Sequence, residues 1–247
     1  MIASSVTTTW RACPYETVRT IPAPFAEKED WHCNRSVPLN GRELSRAVRH
    51  LRRSDPVLAR IIDRVGRCAW QTERGGSAFS SLIEAMLYQQ ITGKAAASIH
   101  RRLREVLGRR HPRPQEILAA SRRALRGAGL SRQKIAYMRD LAARAADGLP
   151  LRGLARRSDE EVIEALCAVK GIGRWTAEMF LVFRLGRFDV LPVDDYGVRK
   201  AAQKAYGLDE LPDARWLRER GEAWRPYRTV ASWYLWRSLE PSREKKR

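Results

Sequence analysis

Two short stretches of the sequence hold residues whose types and spacing could do chemistry. The first is Val169-Lys170-Gly171-Ile172-Gly173, where two glycines flank one apolar residue between two helix-patterned segments. Glycines tolerate backbone angles that other residues resist, and they let a ligand come close to the main chain. The amides that open the second helix then point outward, unpaired and at a positive dipole end, which suits an anion such as a phosphate. Ile172 would anchor the turn in the core. On the glycines alone a plain helix–helix turn is the favoured reading, and no G-K-[ST] follows, so a nucleotide P-loop is excluded. The second stretch is Val190-Leu191-Pro192-Val193-Asp194-Asp195-Tyr196-Gly197-Val198-Arg199-Lys200, with adjacent carboxylates just before a helix that starts at Tyr196. Either aspartate could cap that helix through its amides.

The elements that must position these stretches read as helices. Ser158-Asp159-Glu160-Glu161 forms a capping box, and Val162, Ile163, Leu166 and Cys167 give the first hairpin helix one apolar face. Ala177, Phe180, Leu181 and Leu185 line the second, which Gly186 ends, so the hairpin unit spans residues 158–186. Upstream, Asp55-Pro56 opens a helix carrying Val57, Leu58, Ile61, Ile62 and Val65 at helical spacing. Phe79, Leu82, Ile83, Met86 and Leu87 mark another, broken at Gln89-Gln90-Ile91-Thr92-Gly93. A third presents Ala95, Ile99, Leu103, Val106 and Leu107 on one face and ends at Gly108 and Pro112. Ile117, Leu118 and Leu125 indicate a short helix, and Ile135, Met138, Leu141 and Ala142 indicate one that closes before Gly148. No stretch alternates enough to predict a strand. Residues 1–38, with the proline-bearing run TVRTIPAPF, read as a flexible arm, 39–240 as the helical domain and 241–247 as a charged tail.

Charge narrows the partner. Forty-seven Lys and Arg against 28 Asp and Glu leave a formal net charge of +19 on 247 residues. Such an excess favours a polyanion, because each cation placed at a phosphate releases condensed counterions. The apolar share of 44% is enough for a real core. Cys13, Cys33, Cys68 and Cys167 form no C-x-x-C pair, and His32-Cys33 lacks partners at zinc spacing, so four reduced thiols are expected. No apolar run approaches the ~20 residues of a membrane span. Met1–Thr9 lack the apolar core of a signal peptide, so a cytoplasmic protein is expected.

Taken together, LYQQITGKAA (87–96), VKGIGRWTAEMF (169–180), LPVDDYGVRKA (191–201) and WRPYRTVASWYLW (224–236) resemble the helix-hairpin-helix base-excision glycosylase superfamily, and within it the 3-methyladenine DNA glycosylase II branch. The likeness covers most of residues 45–240. It implies an all-α, two-lobed fold with a DNA cleft between the lobes. It also implies a monofunctional glycosylase that flips an alkylated base from duplex DNA and hydrolyses its N-glycosidic bond.

By that resemblance the second Asp of the pair, Asp195, is the catalytic carboxylate, while branches with V-D-x-H would match Asp194. Breaking the bond builds positive charge on the sugar, which a fixed carboxylate stabilises. Trp175 stands where strand-cutting members carry a Schiff-base Lys, and Lys170 lies before the hairpin, so no lyase step is expected. Trp175, Met179 and Trp233, with Trp236 one helical turn further, would line the base pocket; an alkylated base is often cationic and is drawn to a π face. Met179 replaces an aromatic found in some members. Gln89, Gln90 and Ile91 would enter the minor groove, with Ile91 either wedging into the gap or buried at a helix junction. The amides of Gly171, Gly173 and Thr176 would hold a backbone phosphate, and the carbonyls of Cys167, Val169 and Ile172 a monovalent cation bridging to it. No other cofactor is implied, and the four-Cys iron–sulfur loop of another branch is absent. Duplex DNA is the expected partner of a monomer. The rivals are a glycosylase for an oxidised or mismatched base, a helix-hairpin-helix module that only grips DNA, and a basic RNA-binding scaffold.

Overall fold

The computed structural model describes residues 36–38, 41–73 and 75–240. The arm expected over 1–38 lies outside these residues except at its end, as do Cys13, Cys33 and the tail 241–247. At that end the sequence expectation fails in one detail. Ser36–Pro38 (β1) pairs antiparallel with Gln71–Glu73 (β2), in the register Ser36↔Glu73, Val37↔Thr72 and Pro38↔Gln71. Three-residue strands are too short to show an alternating pattern.

The remaining regular structure is helical. Gly41–Ser54 (α1) and Pro56–Val65 (α2) precede β2. Ala78–Tyr88 (α3), Gly93–Leu107 (α4), Pro114–Ala119 (α5), Arg122–Gly127 (α6) and Arg132–Ala146 (α7) follow it. Asp159–Cys167 (α8) and Arg174–Met179 (α9) form the hairpin, with α9 continuing as a π-helical stretch over Phe180–Leu185. Tyr196–Tyr206 (α10), Ala214–Gly221 (α11) and Arg228–Ser238 (α12) complete the chain. The helices fall into two packed groups. One contains α3 to α7, with α7 against α3, α5 and α6; the other contains α1, α2, α10 and α12. The hairpin lies in sequence between them, and the π-helical stretch packs on both β2 and α3. This is the two-lobed all-α fold.

Sequence logic is visible at most helix starts. Ser77, Thr92, Ser121, Ser131, Ser158, Asp195 and Asp213 each cap a helix with a side-chain oxygen. Helix α4 departs from the expected face. Ala96, His100 and Leu103 are buried, whereas Ala95 is exposed and Val106 is 41% exposed. The segment read as one short helix through Leu125 is two, α5 and α6, separated at Ala120-Ser121.

Asp55 holds the second group together. It is fully buried. One carboxylate oxygen accepts from the amides of Val57 (2.8 Å) and Leu58 (3.2 Å), capping α2. The other accepts from Tyr206 Oη at the end of α10 and from Trp224 Nε1 at 2.9 Å. Burial alone would raise its pKa, but these four donors outweigh it and hold the carboxyl below its ordinary value.

Asp55→Ala should therefore destabilise the fold by about 3 kcal/mol, combining a lost cap with two buried donors left unpaired. Because the folded pKa is depressed, the contribution is complete above the unfolded carboxyl value and is lost as pH falls through the folded one. Denaturant unfolding at neutral pH and again in acid measures both. A cost that did not shrink in acid would contradict this assignment.

Candidate active site

The hairpin begins where α8 ends. Gly171 adopts φ +83°, and a Cβ there would stand 2.2 Å from the Tyr137 ring on α7, so glycine is required both for the angle and for the close approach. Gly173 is different: its φ is −94° and a Cβ would meet nothing within 4 Å. Its expected conformational role is thus not needed, and it leaves an open face beside the first amides of α9. Ile172 is buried as expected, with its amide donating to Val169 O at 3.1 Å. The first turn of α9 closes with Ala177 N donating to Gly173 O. The amides before it have no intrahelical acceptor.

Other elements fix the hairpin. Asp140 on α7 accepts from Lys170 N at 2.9 Å. Burial would raise the Asp140 pKa, but this amide and Arg144 lower it overall. Gln89 reaches across from the end of α3, donating to Gly171 O at 3.1 Å and to Thr176 Oγ1 at 3.3 Å. Lys134 Nζ donates to Leu87 O and, at 2.8 Å, to Gln89 O. Burial lowers the Lys134 pKa. The loop 89–92 is thus tied where it leaves α3, while its tip, Gln90, is exposed at φ +58° and Ile91 is half-buried against the core.

The carboxylates separate clearly. Asp194 is exposed and Asp195 is 8% exposed. Asp195 caps α10, Oδ1 accepting from Val198 N at 2.7 Å. Oδ1 also accepts from Trp236 Nε1 at 2.8 Å, and Oδ2 accepts from Trp175 Nε1 at 2.7 Å. One carboxylate therefore joins α9, α10 and α12. Phe183, on the π-helical stretch, stacks on Trp236 with centroids 6.0 Å apart and planes at 25°. The start of α12 is stitched to the segment after α9: Thr229 Oγ1 donates to Arg187 O at 2.7 Å and accepts from Val190 N at 3.0 Å. Arg228 Nε donates to Asp189 at 2.7 Å.

Of the expected pocket residues, Trp175 and Trp236 converge on Asp195, and Met179 is buried one turn beyond Trp175. Trp233 is half-buried, edge-on to Tyr234 and 5.7 Å beneath the Arg237 guanidinium. Cys167 is exposed at the end of α8, and Val169 is buried.

Sequence reasoning passed over Lys134, Tyr137, Phe183, Gly197 and Glu178. Only Glu178 had a readable signal, a charge inside the apolar run Ala177–Val182. It is 4% exposed, and Oε1 accepts from Arg174 Nε at 3.1 Å. Burial pushes its pKa up to about 7 against the pull of Arg174, and nearby Asp194 adds to the rise. Arg174 also bridges to Glu160 at 2.6 Å.

A glycine-turned hairpin beside a buried aspartate ringed by indoles defines the class: a helix-hairpin-helix protein with a carboxylate centre. Residues 83–226 match the HhH-GPD superfamily of base excision DNA repair proteins, and the chain belongs to that family. It is 35% identical over 201 residues to DNA-3-methyladenine glycosylase 1 of Schizosaccharomyces pombe, covering 79% of this chain and 87% of that one. The crystal structure of a DNA-3-methyladenine glycosidase from Bacillus halodurans superposes with a TM-score of 0.70 at 38% identity, covering 77% and 87%. The S. pombe 3-methyladenine DNA glycosylase bound to abasic DNA gives 0.67 at 34%, covering 77% and 95%.

Glu178 yields a prediction of its own. A carboxyl raised above its unfolded value contributes stability fully below that value, and the contribution is lost as pH rises through about 7. Glu178→Gln, which keeps an acceptor for Arg174, should raise the melting temperature at pH 8 by a few degrees and change it little at pH 5. Equal destabilisation at both pH values would show that the Arg174 pairing outweighs burial.

Proposed function

We propose that the protein is a monofunctional DNA glycosylase acting on alkylated bases of the 3-methyladenine type in duplex DNA, with Asp195 as its catalytic carboxylate. The observation that carries the reading is the three-donor clamp on Asp195 within this family's fold. The names of its relatives support the substrate class.

In this reading the damaged nucleotide is turned out of the stack toward Trp175 and Met179. Gln90 and Ile91 approach the gap, and the amides of Gly171, Gly173 and Thr176 take a backbone phosphate. The C1′–N bond breaks with its electron pair leaving on the base. A base already cationic from alkylation departs as a neutral molecule. Positive charge grows on the sugar, and the fixed carboxylate stabilises it at no cost of reorganisation. Water then adds to C1′ and loses a proton. Asp194, solvent-exposed on the same turn, has no comparable clamp among the described residues.

Lyase chemistry needs a free amine at the sugar, and by the resemblance Trp175 matches the position of that Lys. Lys134 and Lys200 are engaged by Leu87 O, Gln89 O and Gln203 Oε1. By the resemblance, the carbonyls of Cys167, Val169 and Ile172 would offer neutral oxygens to a hard monovalent cation. Val169 O already accepts one amide and keeps a second lone pair. When bound, the cation would supply positive charge toward a phosphate. The protein would work as a monomer on DNA.

Release of free base from methylated duplex DNA tests this directly. Wild type and Asp194→Asn should release 3-methyladenine, and Asp195→Asn should be slower by about 10²-fold or more while still binding DNA. None of the three should nick the strand. Wild-type binding without release would leave a DNA-gripping module or a different lesion.

A further inference from the structure

The hydrogen bonds to Asp195 determine more than its position. A carboxylate offers about four acceptor directions, two on each oxygen. Among the described residues, Val198 N and Trp236 Nε1 fill both on Oδ1, and Trp175 Nε1 fills one on Oδ2. One direction remains, on Oδ2. Trp236 is equally committed: its N–H is spent on Oδ1 and its ring stacks on Phe183.

The room for that indole comes from Gly197. A Cβ there would stand 3.0 Å from Asp195 Oδ1, 3.0 Å from Trp236 Cδ1 and 3.3 Å from Trp236 Nε1. Gly197 lies in the first turn of α10 and its φ is not positive, so the backbone does not require glycine. Glycine in a helix is worse than alanine by about 1 kcal/mol, so the compensation has to lie in space. Trp236 cannot easily move aside, because Phe183 lies against its ring and α12 is anchored at its start by Asp189 and Thr229.

We propose that Trp236 is a positioning residue rather than a wall for the base, and that Gly197 is the matched gap that admits it. With Val198 N it saturates Oδ1, so the attacking water must be held by the one open direction of Oδ2, on the Trp175 side. The water and the ring that meets the base then share one carboxylate oxygen, which places the nucleophile beside the bond that breaks. This rests on the reading of Asp195 as the catalytic carboxylate.

A double-mutant cycle on single-turnover base release tests it. Trp236→Phe keeps a six-membered ring for Phe183 and removes the N–H together with the rest of the five-membered ring. It should lower the maximal rate about tenfold or more, with the half-saturating concentration little changed. Gly197→Ala should have a similar effect by displacing the indole, and the double variant should be no slower than Trp236→Phe alone. Multiplicative losses, or an unchanged rate with weaker half-saturation, would make Trp236 a pocket wall and overturn the proposal. A readout independent of activity is the indole N–H resonance of Trp236 in 15N-labelled protein. Slow solvent exchange is expected in wild type and fast exchange in Gly197→Ala. Fast exchange already in wild type would remove the hydrogen bond and the proposal with it. Slow exchange in a wild type that releases no base would instead sink the catalytic reading of Asp195, and the positioning role would fall with it.

Discussion

The structure turns on the carboxylate of Asp195, which is at once a helix cap and the meeting point of two indoles. Its bond to Val198 N starts α10, that from Trp175 fixes the first turn of α9, and that from Trp236 fixes the face of α12. None of these helices can shift independently without breaking a charge-assisted hydrogen bond in a nearly dry setting, where an unmade bond costs most. The geometry of the site and the packing of the second lobe are therefore one constraint. Asp55 shows the same device used to a different end. It too caps a helix and accepts from a tryptophan, but it is fully buried and four donors reach it. Asp195 is reached by three and keeps a small opening to solvent. A satisfied carboxylate serves structure, whereas one with an acceptor direction left over can act on something else.

A second network links the loop 89–92 to the hairpin. Gln89 bonds to Gly171 O and Thr176 Oγ1, and Lys134 bonds to the carbonyls that end α3. Lys134 suits that place because the last carbonyls of a helix are unpaired and carry negative partial charge. Tyr137, one turn further along α7, fills the space above Gly171 that any side chain would contest. Helix α7 therefore serves as the common base for both structures. A loop whose tip is held at positive φ persists when the surrounding structure holds it, and these bonds fix the side on which it leaves α3.

Much of this was legible in the sequence because local rules dominate there. The capping box at Ser158, Pro56 after Asp55 and the hairpin glycines announce their elements without help from distant residues. The site was legible mainly through the resemblance, since on residues alone Asp194 and Asp195 were equal candidates to cap α10. Burial breaks that symmetry, and burial depends on where α9 and α12 fall. The misses share this cause. Helix α1 was not singled out, although Ala47 and Leu51 are buried, because its arginines dilute the apolar pattern. Helix α4 turns Ala96 and His100 inward, since a buried histidine paired with Glu84 at 3.5 Å is invisible to an apolar periodicity. The role of Gly197 needs Trp236, which arrives from the far end of the chain.

The charge surplus fits this architecture in a way composition could not show. Several arginines are not free to meet a polyanion. Arg174 bridges Glu160 and Glu178, Arg228 and Arg225 converge on Asp189, and Arg184 holds the carbonyls of Glu73, Gly75 and Gly76. These side chains use the planar fork of guanidinium to tie loops to helices, which lysine could not do in the same geometry. Part of the excess is thus structural, and net charge overstates the count of phosphate contacts. Arg174 is the informative case, since it stands at the mouth of the hairpin, where a phosphate would compete for it. Two carboxylates already hold it, one of them buried with a pKa near 7. In the proposed reading, anion binding at this hairpin would therefore fall chiefly to main-chain amides, whose direction is set by Gly171 and Ile172 and does not depend on the protonation of any side chain.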